Sequence, residues 1–159
     1  MMRIGRSFFS VFCGLFAAIH LMACSGENND SGLDTVFTAK IGMICVMGNV
    51  QGNNGIISAD TPVHIILYPK GCFSSSCTEK LKTSCAVTGD STLTVNGVFR
   101  LRSTGDSACT PDCSGGGSTA CESQNLSPGA HTATAGDLKV SFTVPSIIPG
   151  GGICAGSPF

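Results

Sequence analysis

The sequence predicts an all-β fold, an antiparallel β-sandwich stapled by disulfides. Three observations carry this expectation. Short runs of alternating apolar and polar residues recur between closely spaced turn signals. No stretch beyond residue 24 sustains the 3.6-residue period of a helix. Ten cysteines stand in 159 residues, and eight of them fall where an oxidising compartment would pair them.

The chain opens with Arg3 and Arg6, followed by an apolar run from Phe8 to Ala23. A short basic region before an apolar core is the layout of a secretory signal, and the run falls short of the ~20 residues that cross a bilayer. Leu21-Met22-Ala23-Cys24 then precedes polar Ser25-Gly26-Glu27-Asn28. This segment resembles the lipobox of bacterial lipoproteins. The resemblance implies removal of residues 1–23, a diacylglycerol on the Cys24 thiol and an acylated amino terminus. Several acyl chains anchor firmly where one gives only marginal binding. Ser25, where an aspartate would favour the inner membrane, implies the outer membrane of the cell envelope. Cysteine parity agrees: Cys13 leaves with the signal and Cys24 carries lipid, so an even set of eight remains.

A chain of 159 residues less 23 leaves 136, enough for one domain and a tail. Seven basic and ten acidic residues remain, scattered, with no basic patch, so nucleic acid is not an expected partner. The mature chain has six aromatic residues and no Trp, little platform for stacking sugars or bases.

Residues 24–35 are polar and are expected to form a lipidated, flexible tether. Asn28 to Asp34 holds too few carboxylates for a calcium loop. Residues 36–147 are expected to form the sandwich. Val36 to Val46 is apolar and β-branched. Gly52-Asn53-Asn54-Gly55 marks a turn. Val63, Ile65 and Leu67 alternate with His64, Ile66 and Tyr68 after Pro62, which reads as a strand. Leu93 and Val95 precede Asn96-Gly97, and Phe99 and Leu101 follow. That pattern predicts a hairpin with Gly97 left-handed and Leu93, Phe99 and Leu101 on the core face.

Residues 103–124 carry three cysteines and Ser114-Gly115-Gly116-Gly117-Ser118. They read as one long, flexible loop and as the expected contact surface. A second hairpin is expected to turn at Gly136-Asp137, pairing Ala135 with Leu138, Ala133 with Val140 and His131 with Phe142. Directly paired residues share a face, so His131 belongs with Leu138, Val140 and Phe142 on the core side. Pro145 is expected to stop the last strand, leaving 148–159 as an irregular tail.

Thr94-Val95-Asn96-Gly97-Val98-Phe99-Arg100-Leu101, with the later Leu126-Ser127-Pro128-Gly129-Ala130-His131-Thr132, resembles the prealbumin-like, carboxypeptidase-regulatory-type modules. Those modules show a Gly-x-Phe strand and then Leu-x-Pro-Gly-x-Tyr. Here His131 replaces the Tyr and a cysteine-bearing insertion separates the halves. The resemblance implies an Ig-like or prealbumin-like sandwich with a structural or binding role.

The eight cysteines are Cys45, Cys72, Cys77, Cys85, Cys109, Cys113, Cys121 and Cys154. Two triplets have similar spacings, which a zinc site could also use, but no Cys-x-x-Cys pair occurs for metal or redox work. Disulfides are the expected state, with connectivity left open. His64 and His131 are the only histidines beyond the signal, and no Gly-x-Ser-x-Gly elbow is present. Ser114, Ser118 and the pairs Asp106/Asp112 and Glu79/Asp90 read as loop and solvated surface. The glycine run lacks the Lys-Ser/Thr of a phosphate loop. The expectation is a lipid-anchored envelope protein with a structural or binding role. Its partners would be the membrane, through Cys24, and an envelope protein or glycan. No catalytic residue, metal or cofactor is expected. The alternatives are an envelope hydrolase with a loop-built site and a cysteine-based metal or redox protein.

Overall fold

A computed structural model describes residues 34–52, 54–105 and 108–159. The signal, Cys24, the polar tether before Asp34, Asn53 and Asp106 lie outside the described residues. Among those described, every regular element is a strand. In chain order they are β1 (Thr35–Ala39), β2 (Ile41–Met47), β3 (Asn49–Gln51), β4 (Asn54–Ile57), β5 (His64–Pro69) and β6 (Thr78–Thr88). β7 (Thr92–Ser103), β8 (Thr119–Glu122), β9 (Gly129–Ala135), β10 (Leu138–Val144), β11 (Ser146–Pro149) and β12 (Gly152–Gly156) complete the set.

The largest sheet is built on β7. β6 pairs with it from Thr78↔Ser103 to Thr88↔Thr94. The opposite edge of β7 is shared: β1 covers its C-terminal part and β9 its start. β10 then pairs with β9. A second sheet has the order β12-β2-β5-β8, and a small one the order β11-β4-β3. The fold is all-β, as expected, but β7 and β9 run parallel. No tight turn joins those two strands, so nothing imposes the antiparallel direction on them.

The two main sheets pack face to face. Ile44, Val46, Ile65 and Leu67 from one meet Leu93, Val95, Phe99, Val140 and Phe142 from the other, with Ile57 and Ile148 closing one side. Each such side chain, fully buried, contributes ~1.5–3 kcal/mol of transfer free energy. The period of two in β5 and β10 arises because only one face of each strand meets this core. The hairpin at Gly136-Asp137 has the expected register, including His131↔Phe142, and Gly136 takes the positive φ of 59° that the turn demands.

Four expectations are corrected. Asn96-Gly97 is no turn: β7 runs straight through it, and Gly97 pairs with Cys85 of β6. The core phase Leu93, Val95, Gly97, Phe99, Leu101 is unbroken, with each of these side chains but the glycine buried. Gly97 is bare because a Cβ there would collide with Leu67 Cδ1 from the facing sheet. Residues 103–124 are not all loop, since β8 pairs with the edge of β5. The tail is not irregular: β11 pairs with β4, and β12 pairs with β2. Finally, strand structure begins at Thr35, one residue inside the expected tether. The chain does reverse at the expected turn, where β3 pairs with β4 from Gln51↔Asn54.

All eight cysteines are paired. Cys45–Cys154 ties β2 to β12, and Cys85–Cys121 ties β6 in one sheet to β8 in the other. Cys72–Cys113 and Cys77–Cys109 clip the loop before β6 to the loop before β8. Each member of the first triplet is thus joined to a member of the second.

Candidate binding site

The end of the molecule at which β5 finishes carries a cleft of about 420 Å³. Its floor follows from strand register. Ile44 and Leu67 face the core, so the neighbouring pair Met43↔Tyr68 lies on the outer face of the same sheet. Pro69 ends β5, and Gly71 at φ 128° turns the chain away. The Gly71 N–H donates to the Pro158 carbonyl at 2.8 Å, which brings Pro158 and Phe159 to the cleft wall. Phe73 forms the next wall, its ring centroid 5.7 Å from that of Phe37 in β1.

The remaining wall is Cys113 to Ser118, within the segment expected to be the contact surface. Its glycines serve close packing, contrary to the flexible-loop reading. The Gly115 N–H donates to the Phe73 carbonyl at 2.6 Å. A Cβ on Gly116 would lie 2.7 Å from both Phe73 Cδ2 and Pro69 Cγ. Three consecutive residues without side chains let this loop lie directly on Phe73 and Pro69.

Asp112 locks the same two loops. One carboxylate oxygen accepts the Ser75 N–H at 2.9 Å and the Thr110 hydroxyl at 3.1 Å. The other accepts the Ser114 hydroxyl at 2.6 Å. The Ser114 hydroxyl foremost, then the Ser75 donors, hold this carboxyl far below the usual carboxylate range, although it is fully exposed. Thr110 N–H also donates to the Ser76 hydroxyl at 2.9 Å. Two disulfides and this network fix the cleft wall.

The residues singled out from sequence do not converge on one centre. His131 is buried in the core and stacks on Phe142, with ring centroids 5.6 Å apart. Its Nε2 lies 2.8 Å from the Ser127 carbonyl and its Nδ1 3.1 Å from that of Asp90. Both partners are acceptors and a neutral imidazole carries one N–H, so each tautomer donates to one of the two backbone segments between which the ring lies. His64 Nδ1 lies 3.1 Å from Glu122 on the exposed face of β5·β8. It is four residues from Tyr68, roughly 13 Å along the strand. Glu79 pairs with Arg102 at 2.9 Å, not with Asp90. Ser114 and Ser118 do line the cleft, and Asp112 is beside them. A carboxylate whose pKa lies so low is a weak base, so Asp112 holds Ser114 in place rather than activating it. The eight paired cysteines offer no thiolate, and among the described residues no group of three His, Cys, Asp or Glu side chains is arranged for a metal.

Sequence reasoning missed the cleft. Its walls come from β2, the end of β5, the loop after β5, the glycine loop and the residues beyond β12. The usable signals were Tyr68-Pro69 at a strand end and the clustering of Phe73 with Cys72. No family model, curated protein or solved structure matches the chain.

Proposed function

We propose that this chain is a lipid-anchored envelope protein, attached at the outer membrane through Cys24, whose domain binds a small apolar molecule in the cleft. The observation that carries the reading is the cleft itself. It has the size of ordinary ligand sites, about 420 Å³, and an apolar, aromatic lining with a few polar groups. Rigidity supports it too, because a wall fixed by two disulfides and a hydrogen-bonded carboxylate pays little ordering cost on binding. Asp112, the carboxylate on the Ser114 hydroxyl, is a weak base, which favours binding over the hydrolase alternative. Pairing of every described cysteine favours it over the metal or redox alternative.

Two measurements test this. The mature protein should partition into detergent with acyl mass on its N-terminal peptide, and Cys24→Ser should leave an unprocessed precursor. An unlipidated mature chain would remove the anchoring half. For the binding half, dodecanol should bind at one per chain, and Met43→Arg should abolish uptake while leaving a thiol count of zero. Failure of the unsubstituted protein to take up the alcohol would remove it.

A further inference from the structure

We propose that the cleft takes an acyl chain bearing an anionic head, with the chain among Tyr68, Phe73 and Phe159 and the head on Lys70 and Lys80. This rests on the cleft being a ligand site and adds the charge and orientation of its ligand.

Two lysines border cleft residues, Lys70 in sequence and Lys80 in space. Lys70 lies between two cleft residues, Pro69 and Gly71. The Lys80 ammonium lies against the glycine wall: a Cβ on Gly117 would be 2.7 Å from its Nζ. Both lysines are exposed, and neither takes part in an ion pair among the described residues. The nearby acids are already engaged. Asp112 accepts from Ser75, Thr110 and Ser114. Glu79, adjacent to Lys80 in β6, is held by Arg102.

An uncharged chain would gain only the apolar contacts. A carboxylate or phosphate at its end also accepts charge-assisted hydrogen bonds from two otherwise unpaired ammonium groups. A cationic head would meet those ammonium groups unfavourably. The same chemistry is offered by a free fatty acid and by an anionic lipid in a bilayer.

The chain contains no Trp, so full-length protein carrying Phe159→Trp provides one fluorescent reporter at a side chain that is 74% exposed. It is titrated with laurate, dodecanol and dodecyltrimethylammonium, and in parallel with vesicles of phosphatidylglycerol or phosphatidylcholine. Laurate should shift the emission to the blue saturably and bind at least about tenfold more tightly than dodecanol, with the cationic amphiphile weakest. Lys70→Gln with Lys80→Gln should erase that preference and leave dodecanol binding unchanged, which also shows that the variant is folded. A preference for the anion among the free amphiphiles assigns a free acid. The same preference only between vesicles assigns a bilayer lipid. Laurate equal to dodecanol, together with phosphatidylglycerol equal to phosphatidylcholine, overturns the inference while apolar binding stands. Silence toward dodecanol as well as the others overturns the ligand site itself.

Discussion

Replacing Gly97 separates two physical roles that a glycine can play in a strand. In a left-handed turn, Asn is tolerated better than Ala or Val, because its short polar side chain accepts positive φ. In β7, Gly97 has ordinary strand pairing and is bare because Leu67 of the facing sheet, fully buried, occupies the space above it. Ala there gains ~0.4–1 kcal/mol by restricting the unfolded chain. It also overpacks the layer, at ~1–3 kcal/mol. The net expectation for Gly97→Ala is a loss of roughly 1–2 kcal/mol. Gly97→Asn should lose more, since it adds bulk and an amide without a partner, at ~1–3 kcal/mol. Leu67→Ala alone should cost ~2–5 kcal/mol through the cavity it leaves. Combined with Gly97→Ala the two should couple favourably by ~1–2 kcal/mol, because the new methyl fills part of that space. Denaturant unfolding with the disulfides intact measures all four corners of the cycle as midpoint shifts at unchanged slope. Gly97→Asn milder than Gly97→Ala, or zero coupling to Leu67, would refute the packing argument.

Three further outcomes follow from the contacts described. Converting both Cys45 and Cys154 to Ala opens a covalent loop with a sequence separation of 109 and should cost ~2–5 kcal/mol in the same unfolding assay. His131→Phe keeps the stacking on Phe142 but removes the ring N–H that donates to one of the Ser127 and Asp90 carbonyls, so a loss of ~1–3 kcal/mol is expected, with laurate and dodecanol binding unchanged. Asp112 has a lowered folded-state pKa, so its contribution is present above its ordinary value of 3.8 and is lost as pH falls below it. The stability difference between the unsubstituted protein and Asp112→Asn, followed by thermal melts, should therefore be flat from neutral pH to about 5 and shrink only in stronger acid.

What could be read from sequence was whatever a single strand records about itself. β5 and β10 touch the core with one face, so their alternation is complete and their inward residues are the ones observed. The register of β9 and β10 was legible because a two-residue turn leaves one choice that buries the apolar set. Asn96-Gly97 misled because the same dipeptide suits a turn, although the apolar phase passes through it unchanged from Leu93 to Leu101. β6 escaped notice because its inward positions are Leu81, Thr83, Cys85 and Val87, only half of them apolar, while lysines guard its solvent face. β12 has two glycines and one alanine in five residues, and its place is set by the bond from Cys154 to Cys45. Even parity indicated four bridges but could not choose among roughly 105 pairings. The cleft left little local trace, because four segments separated in sequence supply its walls.

The Cys45–Cys154 bond also decides how this domain bears load. A pull applied at Asp34 runs first into β1, whose pairs with β7 and whose link to β2 can open one after another. Peeling stops at Cys45, eleven residues on, after releasing at most roughly 40 Å of chain. From there to Cys154 the protein is a closed covalent ring, and tension crosses β2 to β12 through sulfur rather than through the sheets. The core residues from Val46 to Ile148 are then shielded from extension, and a domain tugged at its N-terminus would lengthen by one short step.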